Sequence, residues 1–135
     1  MQISTKGRYA LRFLLDLCQR QDEGSISLKS IAERQDISKK YLERIISMLS
    51  SSGMLTVSRG YQGGYQLAKS PAEISIADVL RITEGGLAPV PDPENDSYMT
   101  IDIWKGLEDV ITDYLEGITL QDVIDAHGPL VEYYI

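Results

Sequence analysis

The sequence is poor in the residues that build covalent and metal-centred sites. Its 135 residues include one cysteine, Cys18, and one histidine, His127, which is interpreted as a helix-end residue. A single cysteine excludes a disulfide framework within the chain and favours a reducing, cytoplasmic environment. It also argues against a zinc or iron–sulfur site, because carboxylates would have to supply most of the ligands. No nucleophile is paired with a general base, so we expect no metal, no cofactor and no enzymatic activity.

Long apolar runs are absent as well. No stretch approaches the about 18 apolar residues that suggest a membrane-spanning helix. Residues 1–6 lack the apolar segment of a secretory signal. We therefore expect neither membrane association nor export. The length suits one compact domain, or a small domain with an appendage.

The two halves of the chain carry opposite charge. Residues 1–70 hold 11 Lys and Arg against 6 Asp and Glu, a net charge of +5, whereas residues 71–135 hold 2 against 14, a net charge of −12. The first half is suited to bind a polyanion, and the second would be repelled by one. A chance split is the alternative.

The spacing of apolar residues predicts a mainly α-helical fold. A first helix is predicted over residues 5–21. Its apolar stripe consists of Leu11, Leu14, Leu15 and Cys18, and it is flanked by Ala10, Phe13 and Leu17. We interpret Cys18 as a buried structural thiol, with a redox-sensitive thiol as the alternative. Ser27 and Ser38 are candidate N-caps of two further short helices.

A glycine-rich hairpin is predicted behind these helices. Residues 54–58 and 65–67 have strand character and flank the glycine-rich segment 59–64. Two short adjacent helices followed by such a hairpin are typical of a winged helix-turn-helix domain. A capping box that begins at Ser75 predicts a helix over 76–83 that closes this domain.

The remainder is predicted to be a loop, a dimerisation helix and a tail. Residues 85–100 are rich in Gly, Pro and Asp without periodicity, and helical spacing resumes over 101–116. A last short helix begins after Thr119. We therefore divide the chain into a winged helix-turn-helix domain (1–84), a loop (85–100), and a dimerisation helix with a C-terminal tail (101–135).

The apolar stripe of the helix over 101–116 is the candidate dimer interface. The residues assigned to it are Ile103, Trp104, Leu107, Val110, Ile111 and Tyr114. Packing of this stripe on its own domain is the alternative. A dimer suits DNA recognition, because two recognition helices related by a two-fold axis read a palindrome.

The helix that begins after Ser38 is the candidate recognition helix. Its apolar stripe leaves one polar strip on the opposite face, formed by Lys40, Glu43, Arg44 and Ser47. Lysine and arginine can bind guanine O6 and N7, and a carboxylate such as Glu43 can accept from the cytosine amino group. A solvated, salt-bridged face is the alternative.

Cations also stand at two predicted helix starts. Lys39 and Lys40 occupy the first turn of the recognition helix, and Lys6 and Arg8 the start of the first helix. The helix dipole disfavours a cation there by about 0.3–1 kcal/mol, so an external anion explains these residues better than stability does. We expect all four to bind DNA phosphates.

The hairpin tip is a third candidate contact with DNA. Arg59 is expected to enter the minor groove, and Tyr61 is assigned to the same contact. An ordinary turn with a solvated arginine is the alternative. A nucleotide-binding phosphate loop is disfavoured, because no Lys-Ser or Lys-Thr pair follows the glycines.

Three segments of the chain, residues 4–10, 37–43 and 59–65, together resemble a known family. In this order they are similar to the IscR/CymR family of bacterial winged-helix transcription regulators. The resemblance covers nearly the whole chain and implies a homodimer with a long C-terminal dimerisation helix and a palindromic operator. The DNA contacts that it implies are Ser38, Tyr41, Glu43, Arg44 and Arg59.

The chain departs from this family at one point. Cluster-binding members carry three cysteines in the loop before the dimerisation helix, whereas residues 85–100 contain none. The chain is most similar to the cluster-free branch, which controls cysteine metabolism in complex with cysteine synthase. An enzyme of that kind captures the C-terminal isoleucine of another partner, so Tyr134 and Ile135 are candidate docking residues. A frayed tail is the alternative.

These patterns predict a homodimeric, sequence-specific DNA-binding repressor that acts on a palindromic operator. The resemblance extends the prediction to genes of cysteine or sulfur metabolism. The alternative is a protein-interaction module that has lost DNA binding and recruits a metabolic enzyme.

Overall fold

The structure is a computed structural model that describes residues 2–127. Over this range the chain forms six α-helices, two strands and three short 3-10 turns. The α-helices are α1 (Thr5–Gln19), α2 (Leu28–Gln35), α3 (Lys39–Ser51), α4 (Ile76–Glu84), α5 (Ile101–Glu116) and α6 (Leu120–His127). The strands are β1 (Leu55–Ser58) and β2 (Gly64–Leu67), and the 3-10 turns are Gln21–Glu23, Pro71–Glu73 and Pro93–Asn95. The predicted mainly α-helical fold and the predicted order of its elements are confirmed.

Helix α1 lies at the centre of the core. It contacts α2, α3, α4, α6 and β2. The side chains that it buries most deeply are Ala10, Phe13, Leu14 and Leu17. Leu14 and Cys18 of the predicted stripe are buried, and Leu11 and Leu15 are half-buried and pack against the core. A helix covered on several sides does not confine its apolar contacts to one row of residues.

The starts of α2 and α4 are set by side chains that cap the backbone. Ser27 Oγ accepts from the N–H of Ser30 at 3.1 Å, and the predicted capping box joins Ser75 and Asp78 through two hydrogen bonds of 3.0 Å. Such a cap contributes about 1 kcal/mol to a helix. These contacts explain why the start of each of these helices could be predicted.

Helix α6 returns to the core after α5. Leu120 is fully buried, and its N–H donates to the carbonyl of Ile74 at 2.9 Å. The N–H of Ile76 donates to the carbonyl of Ile118 at 2.8 Å. The sequence-based division grouped α6 with the dimerisation helix, yet its contacts join it to the core around α1. Over residues 2–127 no helix is both long and apolar enough to cross a bilayer.

Candidate nucleic-acid interface

The two helices α2 and α3 are joined by a tight turn. Asp36 ends α2 in the left-handed region, with φ of 54°, a conformation that aspartate tolerates better than most residues. Ile37 is buried, and Ser38 then caps α3 by accepting from the N–H of Tyr41 at 3.1 Å. This short connection fixes the direction in which α3 leaves α2.

Helix α3 has one buried face and one exposed face. The buried side chains are Leu42, Ile45, Ile46 and Leu49. The exposed side chains on the opposite face are Lys40, Glu43, Arg44 and Ser47, as predicted. The core therefore holds α3 in place while its polar strip remains available to a partner.

An open groove lies between the start of α1 and the exposed face of α3. Its lining residues are Lys6, Lys40, Tyr41, Glu43, Arg44, Ser47 and Met48. The groove brings together Lys6, Lys40 and Arg44, which come from two separate helices. Three cations on one surface form an arrangement suited to a polyanion.

The other predicted phosphate contacts, Arg8 and Lys39, are exposed but do not line this groove. Arg8 Nη2 donates to Thr5 Oγ1 at 3.1 Å, within the first turn of α1. Ser38 Oγ accepts from the N–H of Tyr41 as the cap of α3, and its hydroxyl proton can still be donated to a phosphate oxygen.

Tyr41 also packs against the protein itself. Its half-buried ring meets the ring of Tyr9 edge-on, with 5.5 Å between the centroids. The Arg12 guanidinium lies 5.0 Å from the Tyr9 centroid, and Arg12 also donates to the side chain and carbonyl of Gln35. These contacts tie the first turn of α3 to α1 and α2. Tyr9 and Arg12 were not singled out from the sequence, although their three-residue spacing places them on one face of α1.

A buried carboxylate, Asp16, holds α2 against α1. Its side chain is 2% exposed and accepts from Arg34 Nε at 3.0 Å, Arg34 Nη2 at 2.7 Å and Gln35 Nε2 at 2.9 Å. The hydrogen bond to this carboxylate raises the pKa of Arg34. The sequence offered one sign of this cluster, an acidic residue between the apolar residues Phe13 and Leu17 on a helix that faces the core.

The predicted hairpin is present and is pinned at its base. Strands β1 and β2 pair antiparallel from Leu55 opposite Leu67 to Ser58 opposite Gly64. The backbone of Ile26 extends this pairing by two hydrogen bonds to Tyr65, of 3.0 and 2.8 Å. A Cβ at Gly64 would lie 2.3 Å from the Ile26 carbonyl oxygen, so only glycine fits there.

The hairpin tip projects away from the core. Arg59 is exposed, and the side chain of Tyr61 is fully exposed. Beside the tip, a cleft between the hairpin and the start of α2 is lined by Ser27, Ser30 and Gln62 among others. Hydroxyl and amide groups of this kind contact phosphates in protein–DNA complexes. These three residues were not predicted from the sequence as DNA contacts.

The predicted dimer-interface residues divide between two faces of α5. Ile103, Leu107, Val110 and Tyr114 form an outer face, with side chains 58, 39, 66 and 67% exposed. Trp104 and Ile111 are half-buried on the adjoining face. No residue of α5 is fully buried. Within residues 2–127, the outer face is therefore an apolar surface that the rest of the described chain leaves uncovered.

Comparison with known proteins agrees with this geometry. Residues 3–126 match the Rrf2 family, described as iron-dependent transcriptional regulators. The chain belongs to the Rrf2 family. It is 37% identical over 123 residues to the HTH-type transcriptional regulator CymR of Bacillus subtilis, a match that covers 91% of this chain and 89% of CymR. It is 35% identical over 131 residues to the regulator IscR of Pectobacterium carotovorum, covering 93% of this chain and 80% of IscR.

A solved structure supports the same assignment. The structure of B. subtilis CymR, described as the global cysteine regulator, matches with a TM-score of 0.84 and 36% identity, over 93% of this chain and 98% of that one. The resemblance to the IscR/CymR family and the winged-helix fold are thereby confirmed. This Rrf2 protein is a DNA-binding transcription regulator, and its family and relatives are regulators rather than enzymes.

The family description names iron, but the donors of this Rrf2 protein do not fit an iron–sulfur cluster. Cys18 is the single cysteine of the sequence, and it is buried on α1. Burial raises the pKa of its thiol to about 12, which disfavours the thiolate that a metal or an oxidant requires. Across residues 2–127 no group of three or more His, Cys, Asp or Glu is placed to hold a metal ion.

Three further residues singled out from the sequence lie towards the C-terminus. His127 is exposed in the last turn of α6, which confirms that it is a helix-end residue. Tyr134 and Ile135, the candidate docking residues, lie outside the described residues.

Proposed function

We propose that this protein is a sequence-specific repressor that acts in the cytoplasm as a homodimer on a palindromic operator. The observation that carries the proposal is the convergence of Lys6, Lys40 and Arg44 on one groove beside the exposed face of α3. Helix α3 then enters the major groove, and the start of α1 follows the backbone. This is the docking geometry of helix-turn-helix proteins.

Each residue around the groove has a distinct proposed role. Arg44 and Lys40 bind guanine, and Glu43 accepts from the cytosine amino group. Lys39 and Arg8 bind phosphates beside the groove, together with Lys6 in it. Tyr41 and Ser38 contact the backbone next to them, while Arg59 enters the minor groove from the hairpin tip together with Tyr61. These four residues are exposed or half-buried.

The outer face of α5 is the proposed dimer contact. Its four side chains are at least 39% exposed, and they lie at the 4, 3 and 4 residue spacing of a helix pair. A second copy would cover this face and place two α3 helices on one side of the dimer. Trp104 and Ile111 would adjoin the contact from the neighbouring face of α5.

Relatives suggest which genes are controlled. CymR is described as a global cysteine regulator, and we propose that this chain controls genes of cysteine or sulfur metabolism. The family resemblance suggests cysteine synthase as a partner that binds the C-terminal tail through Tyr134 and Ile135. Removal of the last three residues should then abolish binding to cysteine synthase, and unchanged affinity would reject this partner contact.

Selection of bound fragments from random DNA tests the main proposal. The purified protein should enrich one palindromic site. Recovery of no common sequence would instead favour a protein-interaction module without sequence-specific DNA binding. The same selection repeated on genomic fragments would identify the controlled genes.

Two variants separate base contacts from phosphate contacts. Arg44→Ala should cost about 1–3 kcal/mol on the selected site and relax the preference at one base pair. Lys39→Ala should weaken binding to all sequences and reduce the salt slope by about 1. Lys69→Ala, which removes an exposed cation beyond β2, is the matched control and should change neither. Equal effects of all three substitutions would contradict the assigned roles.

A further inference from the structure

The start of α1 is held by a residue from a distant part of the chain. Glu84, the last residue of α4, accepts two hydrogen bonds from Ser4: the backbone N–H donates to Oε1 at 2.5 Å and the hydroxyl donates to Oε2 at 2.6 Å. Ser4 Oγ also accepts from the N–H of Gly7 at 3.0 Å, which caps α1. The hydroxyl of Ser4 is therefore fixed both as donor and as acceptor.

The packing around this contact is close. A Cβ at Gly7 would lie 3.0 Å from Glu84 Oε2 and 3.1 Å from Leu80 Cδ2. Glycine at this position lets the carboxylate approach the first turn of α1. The two residues on either side of Gly7 are Lys6 and Arg8, the cations assigned to DNA.

Glu84 places a negative charge beside a surface that is assigned to DNA. A carboxylate near a phosphate-binding helix end repels DNA, so removal of an acidic residue should strengthen binding or leave it unchanged. Glu84 lies close enough to Lys6 to sense its charge. A carboxylate at this position has to provide some benefit that offsets the repulsion.

Glu84 also stands where the chain turns toward α5. It is followed by Gly85 and Gly86, whose φ angles are 76° and 146°. With Ile3 and Leu87 it lines a cleft against Ile111 of α5. The contact with Ser4 thus joins the first turn of α1 to the beginning of the segment that leads to α5.

We propose that Glu84 is a positioning residue of the DNA interface: through Ser4 it holds the first turn of α1 so that Lys6 and Arg8 face the phosphates. The proposal rests on the proposed function, because it concerns the same surface. Glu84 itself does not touch DNA in this account. By holding α1 in place Glu84 strengthens DNA binding, whereas its negative charge alone would weaken it.

The test compares three Glu84 variants with a charge-matched control on the selected operator. Glu84→Ala removes both acceptors, Glu84→Gln keeps one, and Glu84→Asp keeps the charge on a shorter side chain. Glu73→Gln removes an exposed carboxylate elsewhere and measures the effect of charge alone. We expect Glu84→Ala to bind about tenfold more weakly, with a salt slope lower by about 1 to 2, the value for one or two lost phosphate contacts. Glu84→Gln and Glu84→Asp should lie between it and the wild type.

A second background shows whether Glu84 acts through the two cations. In a Lys6→Gln, Arg8→Gln protein, Glu84→Ala should change operator affinity less than twofold. A loss that persists in this background, or Glu84 variants that bind as tightly as Glu73→Gln, would overturn the proposal. Should Glu84→Ala not fold, Glu84→Gln and Glu84→Asp supply the same comparison. Absence of operator binding by the wild type would instead reject the proposed function.

Discussion

Helices α1 and α5 are nearly equal in length, 15 and 16 residues, and both carry apolar residues at helical spacing. Their surroundings differ completely. Helix α1 buries seven residues, whereas α5 has none that is buried. An apolar stripe therefore predicts that a helix has a face to cover, but it does not say whether the same chain or a second chain covers it.

The largest expected difference between the two helices is the loss of unfolding free energy when a large side chain is truncated. Phe13 is fully buried on α1 and meets Tyr65 of β2 edge-on, whereas Tyr114 on α5 is 67% exposed. Phe13→Ala should lower the free energy of unfolding by about 3–5 kcal/mol. Tyr114→Ala should change it by less than about 0.5 kcal/mol when the protein is dilute enough to be monomeric. Urea unfolding measures both, and equal losses would remove the distinction between the helices.

Removal of an acidic residue should also destabilise the protein on α1 but not on α5. Asp16 on α1 is 2% exposed and bound to Arg34, whose side chain is 30% exposed, whereas Asp109 on α5 is exposed. Asp16→Ala leaves the donors of Arg34 and Gln35 without their acceptor. It should lower the free energy of unfolding by about 2–3 kcal/mol, which is less than the loss for a fully buried ion pair because Arg34 is partly exposed. Asp109→Ala is the control and should be close to neutral in the same urea titration. A neutral Asp16→Ala would show that this cluster does not hold α2.

A substitution on the outer face of α5 should have a smaller effect, on dimer formation, which depends on protein concentration. Val110→Asp places a charge within the apolar stripe and should weaken the proposed dimer at least tenfold, about 1.4 kcal/mol. Asp109→Lys changes a neighbouring exposed charge and leaves the stripe intact, so it should keep the dimer. Sedimentation equilibrium measures both variants. A dimer unaffected by Val110→Asp would place the contact elsewhere.

The smallest expected effect on stability concerns Glu84, which joins the start of α1 to the segment leading to α5. Burial raises the pKa of Glu84, but the hydrogen bonds from Ser4 and Thr83 and the charge of Lys6 outweigh it and hold the pKa below the ordinary value. Such a group stabilises the fold above the unfolded pKa of about 4.3, and the contribution is lost as the pH falls through the folded pKa.

Glu84→Gln should therefore reduce stability most at pH 6, and the difference from the wild type should shrink as the pH falls below about 4. Thermal unfolding between pH 3 and 6 measures this difference, and Glu73→Gln gives the background for loss of an exposed carboxylate. A difference that grows at low pH would have the wrong sign.

Much of the fold could be predicted because local chemistry decides it. Ser38 and Ser75 begin helices since their hydroxyls cap free backbone N–H groups, and the glycines of the hairpin tip mark a turn. The polar strip of α3 could also be predicted locally, because the spacing of residues along the helix separates Lys40 and Arg44 from the core. The position of Lys6 in the same groove followed only from the tertiary structure.

Other features depend on residues that are distant in sequence. The contact of Ser4 with Glu84 spans 80 positions, and no local pattern predicts it. The Asp16 cluster needs α1 and α2 to pack at a particular angle before Arg34 reaches the carboxylate. The half-burial of Trp104 and Ile111 likewise depends on how α5 lies against its neighbours, which the apolar spacing does not determine.

The salt dependence of operator binding tests the central claim most directly. The claim is that exposed cations at the start of α1, on α3 and at the hairpin tip bind one DNA duplex from both subunits of a dimer. Fluorescence anisotropy on the selected operator between 50 and 200 mM salt should give a slope of log affinity against log salt near −7, for about eight neutralised phosphates. A slope near zero would contradict it.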